Sequence, residues 1–111
     1  MSPTDRTVWQ GTLSLMVLRT LLTMGEQHGY GIARRIEQIA EEALKVNQGT
    51  IYLCLVRLLQ KKWITAEWGT SDANRPAKFY QLTRTGRKQL AAEEENWQRI
   101  AEAVARVLSQ A

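Results

Sequence analysis

The hydrophobic period of this 111-residue chain changes along its length, and that change limits the fold more than any single residue does. From Thr12 to Met24, Leu15, Leu18 and Leu22 recur at helical spacing, and Gly25 stands where the helix should stop. A second helical pattern covers about Tyr30 to Glu42, after a joint at His28-Gly29-Tyr30-Gly31. Ile32, Ile36 and Ile39 share one face of it, with Arg34, Arg35, Glu37 and Glu41 turned away. A third helix is expected from the N-cap Asn47 to Lys62, with Ile51, Cys54, Leu55, Leu58 and Leu59 as its apolar stripe. Gly49, Leu53, Val56, Arg57 and Gln60 fall on its opposite side. The period then drops to two. Ile64–Trp68 and Lys78–Leu82 read as strands, separated by a turn-rich loop from Gly69 to Ala77. Helical spacing returns from Arg84 to Leu108 behind the cap Thr83, where Leu90, Trp97 and Val104 sit seven apart with Ile100 and Val107 between them.

Three helices, a β-hairpin and a long final helix make a mainly α chain with the winged helix-turn-helix layout. It divides into an N-terminal arm over 1–10, a winged domain over 11–83 and a C-terminal dimerisation helix over 84–111. In the arm, Val8 and Trp9 are available for packing. A lone Cys and a lone His exclude a disulfide framework and a four-ligand Cys/His zinc site. No catalytic constellation, phosphate-binding Gly loop or cofactor fingerprint is present, so neither an enzyme nor a bound cofactor or metal is expected. The apolar run Leu13–Met24 is interrupted by Arg19 and is too short to span a bilayer, and MSPTDR does not begin like a secretion signal. A cytoplasmic protein that makes no use of a membrane is expected. The formal charge of +4 is unevenly spread: residues 29–92 carry eleven Lys/Arg against five Asp/Glu. A polyanion would bind the middle of the chain.

The strings GTLSLMVLRTL, HGYGIARRIE, NQGTIYLCLVRLLQKKWI and RPAKFYQLTRTGRKQL, in this order and spacing, resemble the PadR family of bacterial transcriptional regulators over about residues 11–92. The resemblance implies a winged helix-turn-helix, a homodimer built by the C-terminal helix and, in most members, repression of transcription. Some members bind planar aromatic effectors between the final helix and the first helix of the partner. Trp97, Met16 and Trp9 are the candidates for such a pocket here. Family members usually carry Pro after the Tyr of the third helix, where this chain has Leu53. Leu is a better helix former, so the helix is expected to persist, and what the departure leaves open is the pose of its first turn on DNA.

DNA recognition by a helix requires an accessible first turn. Gln48 offers a bidentate amide to adenine, and Thr50 a hydroxyl to a base or phosphate. Gly49 leaves room for close backbone approach. Tyr52 matches the family's aromatic position, and Leu53 and Val56 could meet thymine methyls. Arg57 on this helix is a candidate for phosphate, and Arg75 and Lys78 beside the wing tip are candidates for the DNA backbone or a minor groove. Asn47, Gln48, Gly49, Thr50, Tyr52, Leu53, Arg57, Arg75 and Lys78 thus form the expected surface for double-stranded operator DNA, with Arg34 and Arg35 as weaker additions. Leu90, Trp97, Ile100, Val104 and Val107 form the expected dimer seam. Trp63, Trp68, Phe79 and Tyr80 are expected to pack in the core and hairpin. Cys54 is expected to be an inert buried thiol. The alternative is a winged-helix protein–protein interaction module that binds no DNA.

Overall fold

A computed structural model describes the backbone of residues 3–110 and the side chains of residues 11–110. Seven elements follow one another: α1 (Pro3–Met24), β1 (Gln27–His28), α2 (Gly29–Ile39), α3 (Gln48–Gln60), β2 (Ile64–Thr70), β3 (Pro76–Leu82) and α4 (Arg84–Leu108). The first helix begins at Pro3 rather than near Thr12, so most of the backbone of the expected arm is helical. The side chains of Val8 and Trp9 lie outside the described residues.

Each later helix starts on a side-chain acceptor. His28 Nδ1 accepts from the Gly31 amide at 3.0 Å, Asn47 Oδ1 from Thr50 at 2.8 Å, and Thr83 Oγ1 from Gly86 at 3.0 Å. Each bond satisfies an amide that has no partner inside its own helix. The helix ends are less obvious. Gly25 ends α1 at φ 78°, a conformation that glycine adopts without steric cost. The second helix stops at Ile39 rather than Glu42 because Glu41 and Glu42 turn left-handed, at φ 52° and 64°. Their amides fold back onto Gln38 and Glu37 carbonyls at 3.1 and 2.9 Å. The third helix ends the same way, at Gln60 rather than Lys62. Lys62 takes φ 63°, and Trp63 and Lys62 donate to the Leu58 and Leu59 carbonyls.

The sheet has three antiparallel strands in the order β1-β3-β2. The expected hairpin is present with longer arms, paired from Ile64↔Leu82 out to Thr70↔Pro76. The extra strand β1 pairs Gln27 with Tyr80 and His28 with Phe79. Alternation puts Ile64, Ala66 and Trp68 on one hairpin face, opposite Leu82, Tyr80 and Lys78. Ile64 and Tyr80 on that face are buried with Leu13, Val17, Leu18 and Leu21 of α1, Ile32 and Ile36 of α2, and Ile51, Cys54, Leu55 and Leu58 of α3.

Two residues depart from the expected packing. Ile39, placed on the inner face of α2, is exposed, because the helix ends there and the chain reverses. Trp68, placed in the packing of the hairpin, is 71% exposed, because the body ends one residue pair earlier, at Ala66 and Tyr80.

Candidate nucleic-acid interface

The N-terminal turn of α3 stands open. Asn47, Gln48, Gly49, Tyr52 and Leu53 are exposed, and Thr50 and Val56 are half-buried. The helix turns Ile51, Cys54, Leu55 and Leu58 into the core, and the 3.6-residue period leaves the intervening positions outside. No acidic side chain lies in this first turn. The positive end of the helix dipole and the leading backbone amides are therefore not neutralised from within the turn. Asn47 Oδ1 is committed to the Thr50 amide, which leaves its NH2 group free to donate outward. An added Cβ at Gly49 would meet nothing closer than Asn47 Oδ1 at 3.5 Å. The fold itself does not require glycine there.

A groove of about 890 Å³ runs from this turn to the wing. Gln48 and Tyr52 of α3 form one bank, Tyr30, Arg34 and Arg35 of α2 another, and Ser71, Asp72, Arg75 and Lys78 of the wing with Tyr80 the third. Four cations (Arg34, Arg35, Arg75 and Lys78) face one carboxylate, that of Asp72. Arg34 is partly spent: its guanidinium lies 3.5 Å from Glu37 and 3.3 Å from Glu42. Arg35 is exposed on the same helix. The wing tip is a tight turn in which the Asn74 amide donates to the Ser71 carbonyl at 2.8 Å, with Asn74 at φ 60°. That turn lifts Arg75 clear of the body.

His28 lines the groove beside Tyr30, while Phe79, which its ring also meets, does not. The His28 ring meets Phe79 edge-on at 5.6 Å and Tyr30 at 6.4 Å. Because His28 Nδ1 accepts the Gly31 amide, the ring proton of the neutral form sits on Nε2. Burial pushes the Tyr80 phenol above its ordinary value, and the neighbouring Tyr52 adds to the shift, so it remains a neutral hydrogen-bonding group. Cys54 is buried with its Sγ 3.5 Å from Ser14 Oγ. Burial raises its thiol pKa despite the opposing pull of Ser14, Arg57 and Lys61, which fits the inert role expected of it.

The groove brings together Gln48, Tyr52, Arg75 and Lys78 of the expected surface. Asn47, Gly49, Thr50 and Leu53 belong to the same first turns of α3 but do not line it. Arg57 is half-buried in the last turn of α3, the far end of the helix from Gln48. Tyr30 was not anticipated. It follows the glycine of a joint, where no period marks it as facing outward.

Along α4, Leu90 must be removed from the expected seam. It is 2% exposed and belongs to the core of its own chain. Trp97, Ile100, Val104 and Val107 remain as an exposed apolar stripe that continues to Leu108. A second groove, of about 690 Å³, lies between α1, α2 and α4 and joins Met16 to Trp97, with Ile39 and Leu15 as further apolar walls. Arg19 and Glu94, paired at 3.3 Å, also line it.

Among the described residues no group of three His, Cys, Asp or Glu could hold a metal ion, and no helix is long and apolar enough to cross a membrane. Comparison with curated protein sequences finds no match. Solved structures do match. A transcriptional regulator from Clostridium thermocellum superposes with a TM-score of 0.79 at 23% identity, over 90% of this chain and 96% of that one. A PadR family transcriptional regulator from Eggerthella lenta gives 0.77 at 23% identity, over 97% and 91%. A PadR family regulator from Clostridium difficile gives 0.68 at 26% identity, over 86% and 98%. The sequence profile of the transcriptional regulator PadR-like family matches residues 17–92. The chain therefore belongs to the PadR-like family of transcriptional regulators, whose members are regulators rather than enzymes.

Proposed function

We propose that this protein is a sequence-specific DNA-binding regulator that acts as a homodimer, in the cytoplasm, to repress transcription from a pseudo-palindromic operator. One observation carries the reading: the first turn of α3 is exposed, holds no acid, and opens onto a groove in which Arg35, Arg75 and Lys78, with the ion-paired Arg34 beside them, stand against a single carboxylate. Polyanion phosphates are attracted to such a surface, and Gln48 has the amide geometry for an adenine edge. Gln48, Thr50 and Tyr52, with Asn47, Gly49 and Leu53 around them, form the reading head. Arg75 and Lys78 act on the flanking phosphates. Arg57, at the far end of α3, reaches only a phosphate beyond the first turn.

The stripe Trp97, Ile100, Val104 and Val107 supports pairing of two copies through α4, since four large apolar side chains at helical spacing are left in water in the single chain. Two reading heads would then engage half-sites about one helical turn apart, roughly 34–36 Å. Repression follows from occupancy of the operator. A small planar aromatic effector fits the groove between Met16 and Trp97, where a flat ring meets apolar walls. Trp9, the third residue expected at that pocket, lies outside the described side chains.

Selection of bound fragments from a random duplex pool tests the reading, followed by titration against salt. Recovery of symmetric half-sites, with log K falling linearly in log salt, supports it. Recovery of no preferred duplex, with no salt-dependent binding, refutes it in favour of a protein–protein module.

A further inference from the structure

The hairpin face that packs on the core does not end where the core ends. Its rows run Ile64/Leu82, then Ala66/Tyr80, then Trp68/Lys78. The first two rows contribute to or pack against the core cluster, and the third overhangs it. A Trp ring at the overhang is 71% exposed and packs on none of the core. Its cross-strand partner Lys78 holds its Nζ 5.6 Å from the ring centroid, a cation–π distance. Lys78 and Tyr80, on the same face, line the groove that contains Gln48 and Tyr52. The Trp68/Lys78 row therefore continues the rim of that groove along the wing.

We infer that Trp68 is a further DNA-contacting residue, whose ring lies against the deoxyribose edge of the minor groove flanking each half-site while Lys78 meets the adjacent phosphate. The inference rests on the DNA reading above and adds to it an apolar, salt-insensitive component. Deoxyribose presents C–H surface in the minor groove, and proteins that bind there combine cations with apolar side chains laid on or wedged into the groove. An indole beside an ammonium group supplies both from one cross-strand pair. The charge of the rim favours this occupant over a second protein: Arg75 and Lys78 stand on the same strand and its turn, and Trp68 has no apolar neighbour of its own size on the exposed part of the hairpin.

Hydroxyl-radical footprinting and affinity measurement on a selected operator, using wild type, Trp68→Ala, Trp68→Phe and Lys78→Ala, test the inference. Wild type must first protect the operator; if it protects no duplex, the DNA reading itself fails and takes this inference with it. Given protection, Trp68→Ala is expected to weaken binding about tenfold with an unchanged salt slope, and to lose deoxyribose protection only in the flanking minor groove. Trp68→Phe should restore part of both. Lys78→Ala should instead flatten the salt slope by about one unit. Undiminished affinity and full flank protection in Trp68→Ala would overturn the inference and leave the DNA reading standing. A change in sedimentation of Trp68→Ala with DNA affinity intact would assign the ring to protein contact and overturn it equally. The ring is exposed, so its truncation removes nothing from the core, and a melting curve for each variant checks folding.

Discussion

Gly86→Ala should destabilise the protein, against the ordinary rule for a helix interior. In the third position of α4 an alanine would gain about 1 kcal/mol of helix propensity. Against this, the new Cβ would fall on the backbone carbonyl oxygen of Trp63 and 2.8 Å from Leu82 Cδ1. The Leu82 methyl can rotate away. The Trp63 carbonyl cannot, because it already accepts the Thr83 amide at 3.0 Å, while Thr83 Oγ1 donates to the Lys62 carbonyl at 2.9 Å. To restore a normal carbon–oxygen separation, the first turn of α4 must retreat by roughly an ångström. Both of those bonds then weaken or break. At about 1 kcal/mol each, with about 1–3 kcal/mol for the overpacking and the propensity gain subtracted, the net loss is about 2–4 kcal/mol. Urea unfolding followed by circular dichroism, at one fixed protein concentration, should show the midpoint falling by roughly 1–2 M. Gly11→Ala is the control of opposite sign: nothing lies within 4 Å of its added Cβ, so it should gain about 1 kcal/mol. A Gly86→Ala midpoint at or above that of wild type would refute the reasoning.

Four further outcomes follow from the same structure. Gly49→Ala should raise the urea midpoint slightly, because the added methyl is sterically free, yet lower operator affinity in a gel-shift titration by holding backbone from DNA. Gln48→Ala should cost on the order of 1–3 kcal/mol at one base position, whereas Arg75→Ala should weaken all duplexes alike and flatten the salt slope by about one unit; binding-site selection with each variant separates the two. Lys62→Gly should stabilise by about 1 kcal/mol in the same urea assay, since φ 63° is strained for lysine and free for glycine. Cys54 and Tyr80 hold their protons more tightly folded than unfolded, having pKa values raised above 9.0 and 10.0. Their contribution is complete at lower pH and is lost as pH climbs past those values. Unfolding midpoints at pH 8 and pH 10 should therefore diverge less in Cys54→Ala than in wild type.

What could be read from residues alone depended on whether a local signal existed. The bounds of α4 were legible because Thr83 is a strong cap and the apolar spacing runs unbroken to Leu108. The ends of α2 and α3 were overrun by two or three residues because Glu41 and Lys62 occupy the left-handed positions where glycine would have marked a stop. The two-residue strand β1 has no period to detect, and it exists only because β3 offers a partner. Leu90 and Trp97 share a heptad spacing, but spacing identifies a common face, not which molecule covers each part of it. Leu90 meets its own core, and Trp97 meets solvent and the Met16 groove. Trp68 failed similarly: alternation gives the side of a strand and says nothing of where the body beneath it ends. The exposure of the first turn of α3 was legible, since a cap followed by core residues at helical spacing fixes what must remain outside.

The junction at Gly86 has a mechanical consequence. Thr83 and Gly86 seat the start of the 25-residue α4 on the Lys62–Trp63 backbone, and Leu90 and the Arg19–Glu94 pair hold its first half, so the part from Trp97 to Leu108 leaves the body as a stiff lever about 18 Å long. Tilting that lever by about ten degrees carries its tip roughly 3 Å, about half the pitch of an α-helix. The groove containing Trp97 lies at the root of that lever, where a small displacement is magnified before it reaches the end.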